Sequence, residues 1–206
     1  MFKIAVLASG GGSNLQSIID KIEDGYIKNC KIEIVIGDRP NIYAIERAEK
    51  KGIETLILDR KVYKNALSKK ICECLYGKVD LIVLAGWLSI LNGDLINKFE
   101  NKIINIHPSL IPSFSGNGMY GIKVHEKALE YGVKLSGCTV HFVDEGTDSG
   151  PIIIQKSVPV FEDDTPELLQ RRVLQKEHIA LPEAVKLISE GTVKLQGRKV
   201  LINKGL

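Results

Sequence analysis

Residues 2–20, FKIAVLASGGGSNLQSIID, carry the clearest signals of the fold class. The first seven residues of this stretch are largely apolar, which is typical of a strand buried on both faces. Three glycines follow, and leucine and isoleucine then recur at helical spacing over residues 15–22. Ser13 or Asn14 is placed to cap that helix. The stretch therefore predicts a strand, a glycine turn and a helix, the first unit of an α/β fold.

Strand-like and helix-like segments alternate through the rest of the chain, which predicts a mostly parallel central sheet flanked by helices. Further strands are expected at residues 31–36, 53–58, 80–85, 103–107, 136–143 and 152–160, and a terminal hairpin at 192–202. Helices are expected at residues 41–51 with Asn41 as a cap, 61–76, 124–131, and 168–190 with a break before Pro182.

Composition argues against several classes of protein. The chain has 206 residues, 44% of them hydrophobic, and a formal charge of +3, which is too small to indicate a nucleic-acid surface. The longest apolar region, residues 81–91, is interrupted by Gly86 and Ser89 and is too short to cross a membrane. The four cysteines lack the paired spacing of a metal site, so reduced thiols, no metal and a cytoplasmic location are expected. A single domain of this size is expected to be a monomer or a homodimer.

The glycine turn is a candidate anion site. Exposed backbone N–H groups and a helix N-terminus favour negative charge, and glycines allow a phosphate to approach. The dinucleotide fingerprint is absent because Leu15 stands where its third glycine would be, and no Gly-Lys-Ser/Thr completes a Walker loop. A monophosphate is the ligand that this pattern favours. A tight turn without a ligand is the alternative.

Asn105 and His107 end an apolar strand that Pro108 stops. Side chains two apart on a strand share a face, and the carboxyl end of a parallel strand is where α/β proteins bind ligands. An amide that donates a fixed hydrogen bond, beside an imidazole that exchanges a proton near neutral pH, suits a reaction that builds negative charge on a carbonyl oxygen. The alternative is a buried pair satisfied by the backbone.

Three other stretches could complete such a site. Trp87 begins an apolar segment that is either core packing or a slot for a flat ring, and residues 112–121 form either a lid or a plain surface loop. One carboxylate of residues 144–148 could orient His107 and raise its pKa, unless all of them are turn residues facing solvent. His125 is expected on the solvent side of its helix or in a local contact.

Taken together, these residues resemble the phosphoribosylglycinamide formyltransferase family over nearly the whole chain. The motifs that carry the resemblance are SGGGSNLQ at residues 9–16, LAGW at 84–87, NIHPSLIP at 105–112, VHFV at 140–143, DSGP at 148–151 and QKEH at 175–178. The resemblance implies a Rossmann-like formyltransferase fold in a single domain over residues 1–206. Residues 1–100 would form its phosphate-binding half, and residues 101–206 its catalytic and folate-binding half.

The resemblance also implies a reaction and its residues. The formyl group of 10-formyltetrahydrofolate, a cosubstrate, would pass to the amine of glycinamide ribonucleotide in purine synthesis, and both substrates are small molecules. The catalytic residues would be Asn105, protonated His107 and Asp148. The ribonucleotide would be held by Gly11, Gly12, Ser13, Asn14 and Glu177. The folate would be held by Lys64, Leu88, Ser89, Ile90, Leu91, Asn105, Asp144, Glu145, Gly146, Thr147 and Asp148. Many relatives carry a basic residue where Ser89 stands.

Other functions stay open at this point. A methionyl-tRNA formyltransferase is expected to add a basic C-terminal domain, and a formyltetrahydrofolate hydrolase is expected to add a regulatory domain before the first strand. Outside this chemistry, a Rossmann-type oxidoreductase conflicts with the missing third glycine. A phosphate-ligand sensor without activity would leave Asn105, His107 and Asp148 unused.

Overall fold

The computed structural model describes residues 1–203. The chain divides into two compact units, Met1–Asn105 and Ile106–Leu206. Compact units can belong to one domain, so the expected single domain over residues 1–206, with halves meeting at residue 100, stays a prediction.

The first unit alternates strands and helices largely as predicted, with one short helix at Asp94–Lys98 that the sequence analysis did not predict. Its elements are β1 (Phe2–Ala8), α1 (Ser13–Glu23), β2 (Cys30–Gly37), α2 (Tyr43–Lys50), β3 (Glu54–Ile57), α3 (Arg60–Tyr63), a 3₁₀ turn (Lys64–Ala66), α4 (Leu67–Leu75), β4 (Leu81–Leu84), α5 (Asp94–Lys98) and β5 (Ile103–His107), whose last two residues belong to the second unit. Strand β1 is its centre, because residues 4–8 are fully buried. Strands β2 and β4 pair in parallel on either side of β1.

The second unit carries the remaining elements. These are α6 (Ile122–Tyr131), β6 (Leu135–Phe142), β7 (Ile152–Pro159), α7 (Pro166–Ser189), β8 (Val193–Gln196) and β9 (Lys199–Ile202). Strands β6 and β7 pair in antiparallel register, and β8 and β9 form the predicted terminal hairpin. Helix α6 ends at Tyr131, the last residue of the predicted helix, and Gly132 follows it in the left-handed conformation with φ of 81°.

Seven strands make up one sheet in the order β3-β2-β1-β4-β5-β6-β7, with the antiparallel pair at one end. The predicted α/β class, a mostly parallel sheet flanked by helices, is therefore confirmed. None of the helices within residues 1–203 combines the length and the apolar composition needed to cross a membrane.

Both predicted helix caps are wrong. Helix α1 already includes Ser13 and Asn14, and its N-cap is Gly12, which offers no side chain. Helix α2 starts after Ile42 in an extended conformation, while Asn41 takes a φ of 56° in the preceding turn. Asparagine is one of the few residues that tolerate this left-handed region, so the turn uses Asn41 for its backbone.

Two helix boundaries also differ from expectation. The predicted helix at 61–76 is divided into α3, a 3₁₀ turn and α4, because Lys64 has a φ of 45° that no α-helix accommodates. The predicted break before Pro182 is wrong, since α7 continues through this residue. Pro182 and its neighbours Leu181 and Ala184 are buried, and burying that face outweighs the one hydrogen bond a proline removes.

Candidate active site

The glycine loop between β1 and α1 has the backbone geometry of an anion site. Gly12 has a φ of 70°, and a Cβ placed there would lie 2.7 Å from Cα and Cβ of Ala44. Glycine is therefore required at residue 12 both for its conformation and for its packing against α2. Ser13 and Asn14 are the first residues of α1, which begins without a side-chain cap. The residues predicted to hold a phosphate thus lie together at a helix N-terminus whose first N–H groups have no side chain as a cap.

Strand β5 places Asn105 and His107 two residues apart near its carboxyl end. Asn105 closes the first unit, is half-buried and lies in register with Leu84 of β4. His107 begins the polar cluster of the second unit and is only 4% exposed. Strand alternation gives the two side chains the same face of β5, as the sequence predicts.

The His107 imidazole lies between two hydrogen-bond acceptors. Its Nε2 is 2.9 Å from the carbonyl oxygen of Phe114, and its Nδ1 is 3.4 Å from Oδ2 of Asp148. A neutral imidazole has one N–H and can donate to only one of these oxygens, whereas an imidazolium can donate to both. The shorter contact favours the proton on Nε2 in the neutral ring. His107 is therefore placed to gain a second proton when negative charge develops nearby.

Asp148 is the centre of this cluster. Its backbone has a φ of 54°, which aspartate tolerates, and its Oδ2 accepts a 3.0 Å hydrogen bond from the N–H of Gly116. Its other oxygen, Oδ1, is 3.7 Å from Nε2 of His141. The Nδ1 of His141 is 2.8 Å from the carbonyl oxygen of Phe142, so Nδ1 carries a hydrogen. One carboxylate is thus flanked by two imidazoles.

The pKa values of His107 and Asp148 follow from the balance between burial and the contacts within the cluster. Burial lowers the pKa of His107 below 6.5, and this effect exceeds the opposite influence of the Asp148 carboxylate and the Phe114 carbonyl. Asp148 raises the pKa of His107, as predicted for one carboxylate of residues 144–148, although burial outweighs it. The protonated His107 expected during the reaction stays a prediction. For Asp148, burial is the largest single influence and raises the pKa. The contacts with His141, His107 and Gly116 together outweigh it and lower that pKa below 3.8.

The residues predicted to hold the folate are distributed over both units. In the first unit Leu88 and Ile90 are 44% and 73% exposed, while Trp87 and Leu91 are buried. Exposed apolar side chains beside a buried tryptophan fit a surface for a flat ring at Leu88 and Ile90, with Trp87 as core.

Ser89, Lys64 and Glu177 fall in different surroundings. The Ser89 hydroxyl donates to Oδ2 of the fully buried Asp38 at 2.6 Å, and Lys64 is exposed. Glu177 lies on α7 and is 8% exposed. A buried carboxylate on a helix can accept hydrogen bonds from hydroxyl groups, as a ribose contact requires.

In the second unit the loop before β7 is organised by Asp144. Its Oδ1 accepts the N–H of Gly146 at 3.1 Å and the hydroxyl of Ser149 at 2.6 Å. Glu145, Gly146 and Thr147 are exposed, so their backbone and side chains are open to a ligand. Within the described part of the chain, no three His, Cys, Asp or Glu side chains are grouped as metal ligands.

Comparisons with known proteins identify the family. The family model described as formyl transferase matches residues 2–185. The human trifunctional purine biosynthetic protein adenosine-3 is 42% identical over 94% of the chain, which spans only 19% of that protein. The phosphoribosylglycinamide formyltransferase of Haemophilus influenzae is 39% identical over 95% of the chain and 91% of the relative.

The chain belongs to the phosphoribosylglycinamide formyltransferase family. The fold agrees: the crystal structure of glycinamide ribonucleotide transformylase 1 from Symbiobacterium toebii superimposes with a TM-score of 0.92 at 44% identity. It covers 98% of this chain and 94% of that one. The resemblance and the formyltransferase fold predicted from the motifs are therefore confirmed.

Sequence reasoning about this formyltransferase fold missed three partners of the catalytic candidates. His141 was only part of a motif, yet it flanks Asp148. Phe114 and Gly116 contact His107 and Asp148 through backbone atoms, so their side chains carry no signal. The signal for His141 was the VHFV motif at residues 140–143, because the pairing of β6 is irregular between Val140 and His141 and simple alternation does not hold there.

His125 is buried rather than on the solvent side of its helix, with 1% exposure. Its Nδ1 has no hydrogen-bond partner within residues 1–203. Burial, aided by the charge of His107, lowers the pKa of His125 to about 4. The solvent-side alternative is therefore wrong, and the residue is a buried neutral imidazole.

This burial predicts acid lability with a defined sign. Because the folded pKa is below the unfolded value of 6.5, the unfolding free energy is highest above pH 6.5 and falls as the pH drops towards 4. The contribution of His125 is about 3 kcal/mol at 1.36 kcal/mol per pKa unit. We expect His125→Leu to remove about that much of the difference between urea unfolding at pH 7 and at pH 4. An unchanged difference would contradict this assignment.

Proposed function

We propose that the chain transfers the formyl group of 10-formyltetrahydrofolate to the amine of N1-(5-phosphoribosyl)glycinamide, giving N-formylglycinamide ribonucleotide for purine synthesis. The observation that carries the proposal is the buried cluster in which His107 and Asp148 are 3.4 Å apart, on a chain of this family. The cytoplasmic location, the absence of nucleic-acid and membrane partners, and the monomeric or homodimeric state stay predictions from sequence.

The reaction forms one C–N bond and breaks another. The substrate amine attacks the formyl carbon, and the carbonyl electrons move onto its oxygen. Asn105 and His107 donate hydrogen bonds to that oxyanion, with His107 offering the Nε2–H that Phe114 holds in the ligand-free protein. The intermediate then collapses, the bond to N10 of the folate breaks, and a proton passes from the amine to N10, with Asp148 as its carrier, directly or through a water.

Charge explains why a neutral His107 suits this step. The proton that the attacking amine releases reaches Nδ1 of His107 through Asp148, because the oxyanion at the Nε2 side raises the affinity of the ring for a proton. The same proton returns through Asp148 to N10 when the intermediate collapses, which leaves His107 neutral again. The imidazolium is thus stabilised most strongly when the oxyanion exists, so binding energy is concentrated in the transition state.

The remaining assignments follow the family. Gly11, Gly12, Ser13 and Asn14 bind the phosphate, and Glu177 binds the ribose hydroxyls. The folate contacts are assigned to Lys64, Leu88, Ser89, Ile90, Leu91, Asn105, Asp144, Glu145, Gly146, Thr147 and Asp148. The buried Asp38 carboxylate holds Ser89 through a 2.6 Å bond, so Ser89 orders its segment and leaves its backbone to the pterin.

A formyl-transfer assay tests the proposal. Purified protein with glycinamide ribonucleotide and 10-formyltetrahydrofolate should release tetrahydrofolate, measured by folate absorbance, and yield one formylated ribonucleotide per folate consumed. Release of free formate instead, with or without the ribonucleotide, would identify a hydrolase. Absorbance changes on titration with a nicotinamide cofactor would point to an oxidoreductase.

A further inference from the structure

Three consecutive carbonyl groups of the glycine loop are each held by a donor from the segment 39–47. The pairs are Nε of Arg39 with the oxygen of Ser9 at 2.5 Å, the backbone N–H of Ala44 with the oxygen of Gly10 at 3.1 Å, and Nε of Arg47 with the oxygen of Gly11 at 2.9 Å. Two of the three donors are arginine side chains. The carbonyl edge of this loop is therefore fixed from the side of α2.

Because peptide groups are planar, these contacts also fix the direction of the N–H groups on the opposite edge of the loop. In a trans peptide the carbonyl of one residue and the N–H of the next point in opposite directions. Holding the oxygens of residues 9–11 therefore directs the N–H groups of Gly10, Gly11 and Gly12 away from the donors. Successive N–H groups arranged in this way form an anion-binding concavity, and the uncapped start of α1 continues it.

The guanidinium group of Arg47 is held in one position by further contacts, which fixes the geometry of its hydrogen bond to Gly11. Its NH1 donates to Oε1 of Gln16 at 3.0 Å, and its guanidinium carbon is 4.6 Å from the ring centroid of Tyr43. The planar group thus connects the loop, α1 and the aromatic ring in one geometry. Lys50 also lies over the Tyr43 ring, at 5.5 Å, but donates to neither of the loop carbonyls that the arginines hold.

We infer that Arg39 and Arg47 are positioning residues of the phosphate subsite, which hold the loop carbonyls so that the N–H groups of Gly10, Gly11 and Gly12 face the phosphate. The inference rests on the proposed function, because that function supplies the phosphate ligand. Preorganisation of this kind lowers the ordering cost of binding and leaves the chemical step unchanged. The arginines act through the backbone, so their effect should depend on the phosphate of the substrate.

The test compares Arg47→Ala with Lys50→Ala, a matched loss of a cation over the same ring. We expect Arg47→Ala to raise KM for glycinamide ribonucleotide about 10-fold, the size of one lost hydrogen bond to a well-ordered group. KM for 10-formyltetrahydrofolate and kcat should change less than about 2-fold, and Lys50→Ala should match the wild type within the same margin. Weakened binding of both substrates would overturn the inference.

The most direct test compares the affinities of ligands with and without the phosphate. The affinity for the ribonucleoside that lacks the phosphate should be the same in Arg47→Ala and the wild type, so only the ribonucleotide loses affinity. Arg47→Lys keeps the charge without the planar grip and should stay within about 3-fold of the alanine variant. Full recovery with lysine would assign the effect to charge and contradict the positioning role. Arg39→Ala repeats the measurement if Arg47→Ala unfolds.

Calorimetric titration with ribose 5-phosphate separates this inference from the proposed function, because it requires no turnover. If the protein transferred no formyl group but bound ribose 5-phosphate in a manner that depends on the arginines, the proposed function would be wrong and the positioning role would be supported. If formyl transfer were normal but Arg47→Ala weakened the binding of the ribonucleotide and of its phosphate-free analogue equally, the proposed function would be supported and the positioning role would be wrong.

Discussion

Replacing His107 by alanine is expected to lower kcat for formyl transfer about 100- to 1,000-fold, the usual cost of removing one oxyanion donor from a preorganised site. The imidazole is 4% exposed and its Nε2–H already meets an oxygen, the carbonyl of Phe114, at 2.9 Å. In the proposed reaction the formyl oxygen takes the place of that carbonyl. The alanine variant has neither the donor nor the group that gains a proton.

The matched variant His107→Gln separates these two roles. A glutamine amide can place an N–H near the position of Nε2 but cannot accept a proton on that nitrogen. We expect its kcat to lie between the wild type and the alanine variant. Ribose 5-phosphate should bind all three proteins within about 3-fold, because the proposed function assigns the phosphate to the glycine loop, which the change at His107 does not alter. An alanine variant with near-normal turnover would remove His107 from the mechanism.

Much of the fold was accessible from the sequence because its signals are local. The strand–glycine–helix order at residues 2–23 follows from periodicity, and α6 ends at Tyr131, as predicted, before a left-handed Gly132. The predicted cap of α1 was wrong because this helix begins at a glycine N-cap, Gly12, with no side-chain cap. At Gly12, contact with Ala44 decides the residue, and that neighbour is 32 positions away in the chain.

The candidate site was accessible only in part, because its electrostatics depend on contacts between distant residues. Strand alternation and the motif around Asn105 identified His107, and family resemblance selected Asp148 from its neighbours. The pKa direction of His107 could not be predicted from residue types, since it follows from the balance between burial and a carboxylate 3.4 Å away. Backbone contacts such as that of Gly116 leave no trace in the sequence.

Asp148→Asn is expected to be at least as damaging as the loss of His107, with kcat falling about 10,000-fold, the effect seen when an asparagine replaces the aspartate that orients a catalytic histidine. The change is nearly isosteric. Asparagine tolerates the φ of 54°, and its side-chain oxygen can still accept the N–H of Gly116. Loss of activity would therefore report the missing charge and the missing proton carrier, with little contribution from misfolding.

The ring titration of His107 supplies a second readout with a fixed sign. Asp148 is the main influence that raises the pKa of His107 against burial, so the asparagine variant should titrate at still lower pH than the wild type, which already lies below 6.5. Nuclear magnetic resonance of the labelled imidazole measures both midpoints. Asp163→Asn, the same change at an exposed carboxylate of the second unit, is the control and should leave turnover and titration unaltered. Removing a charge 3.4 Å from Nδ1 must weaken an ion pair between Asp148 and a protonated His107. If Asp148→Asn instead kept turnover within about 10-fold of the wild type, or raised the pKa of His107, Asp148 could not be the group that stabilises the imidazolium.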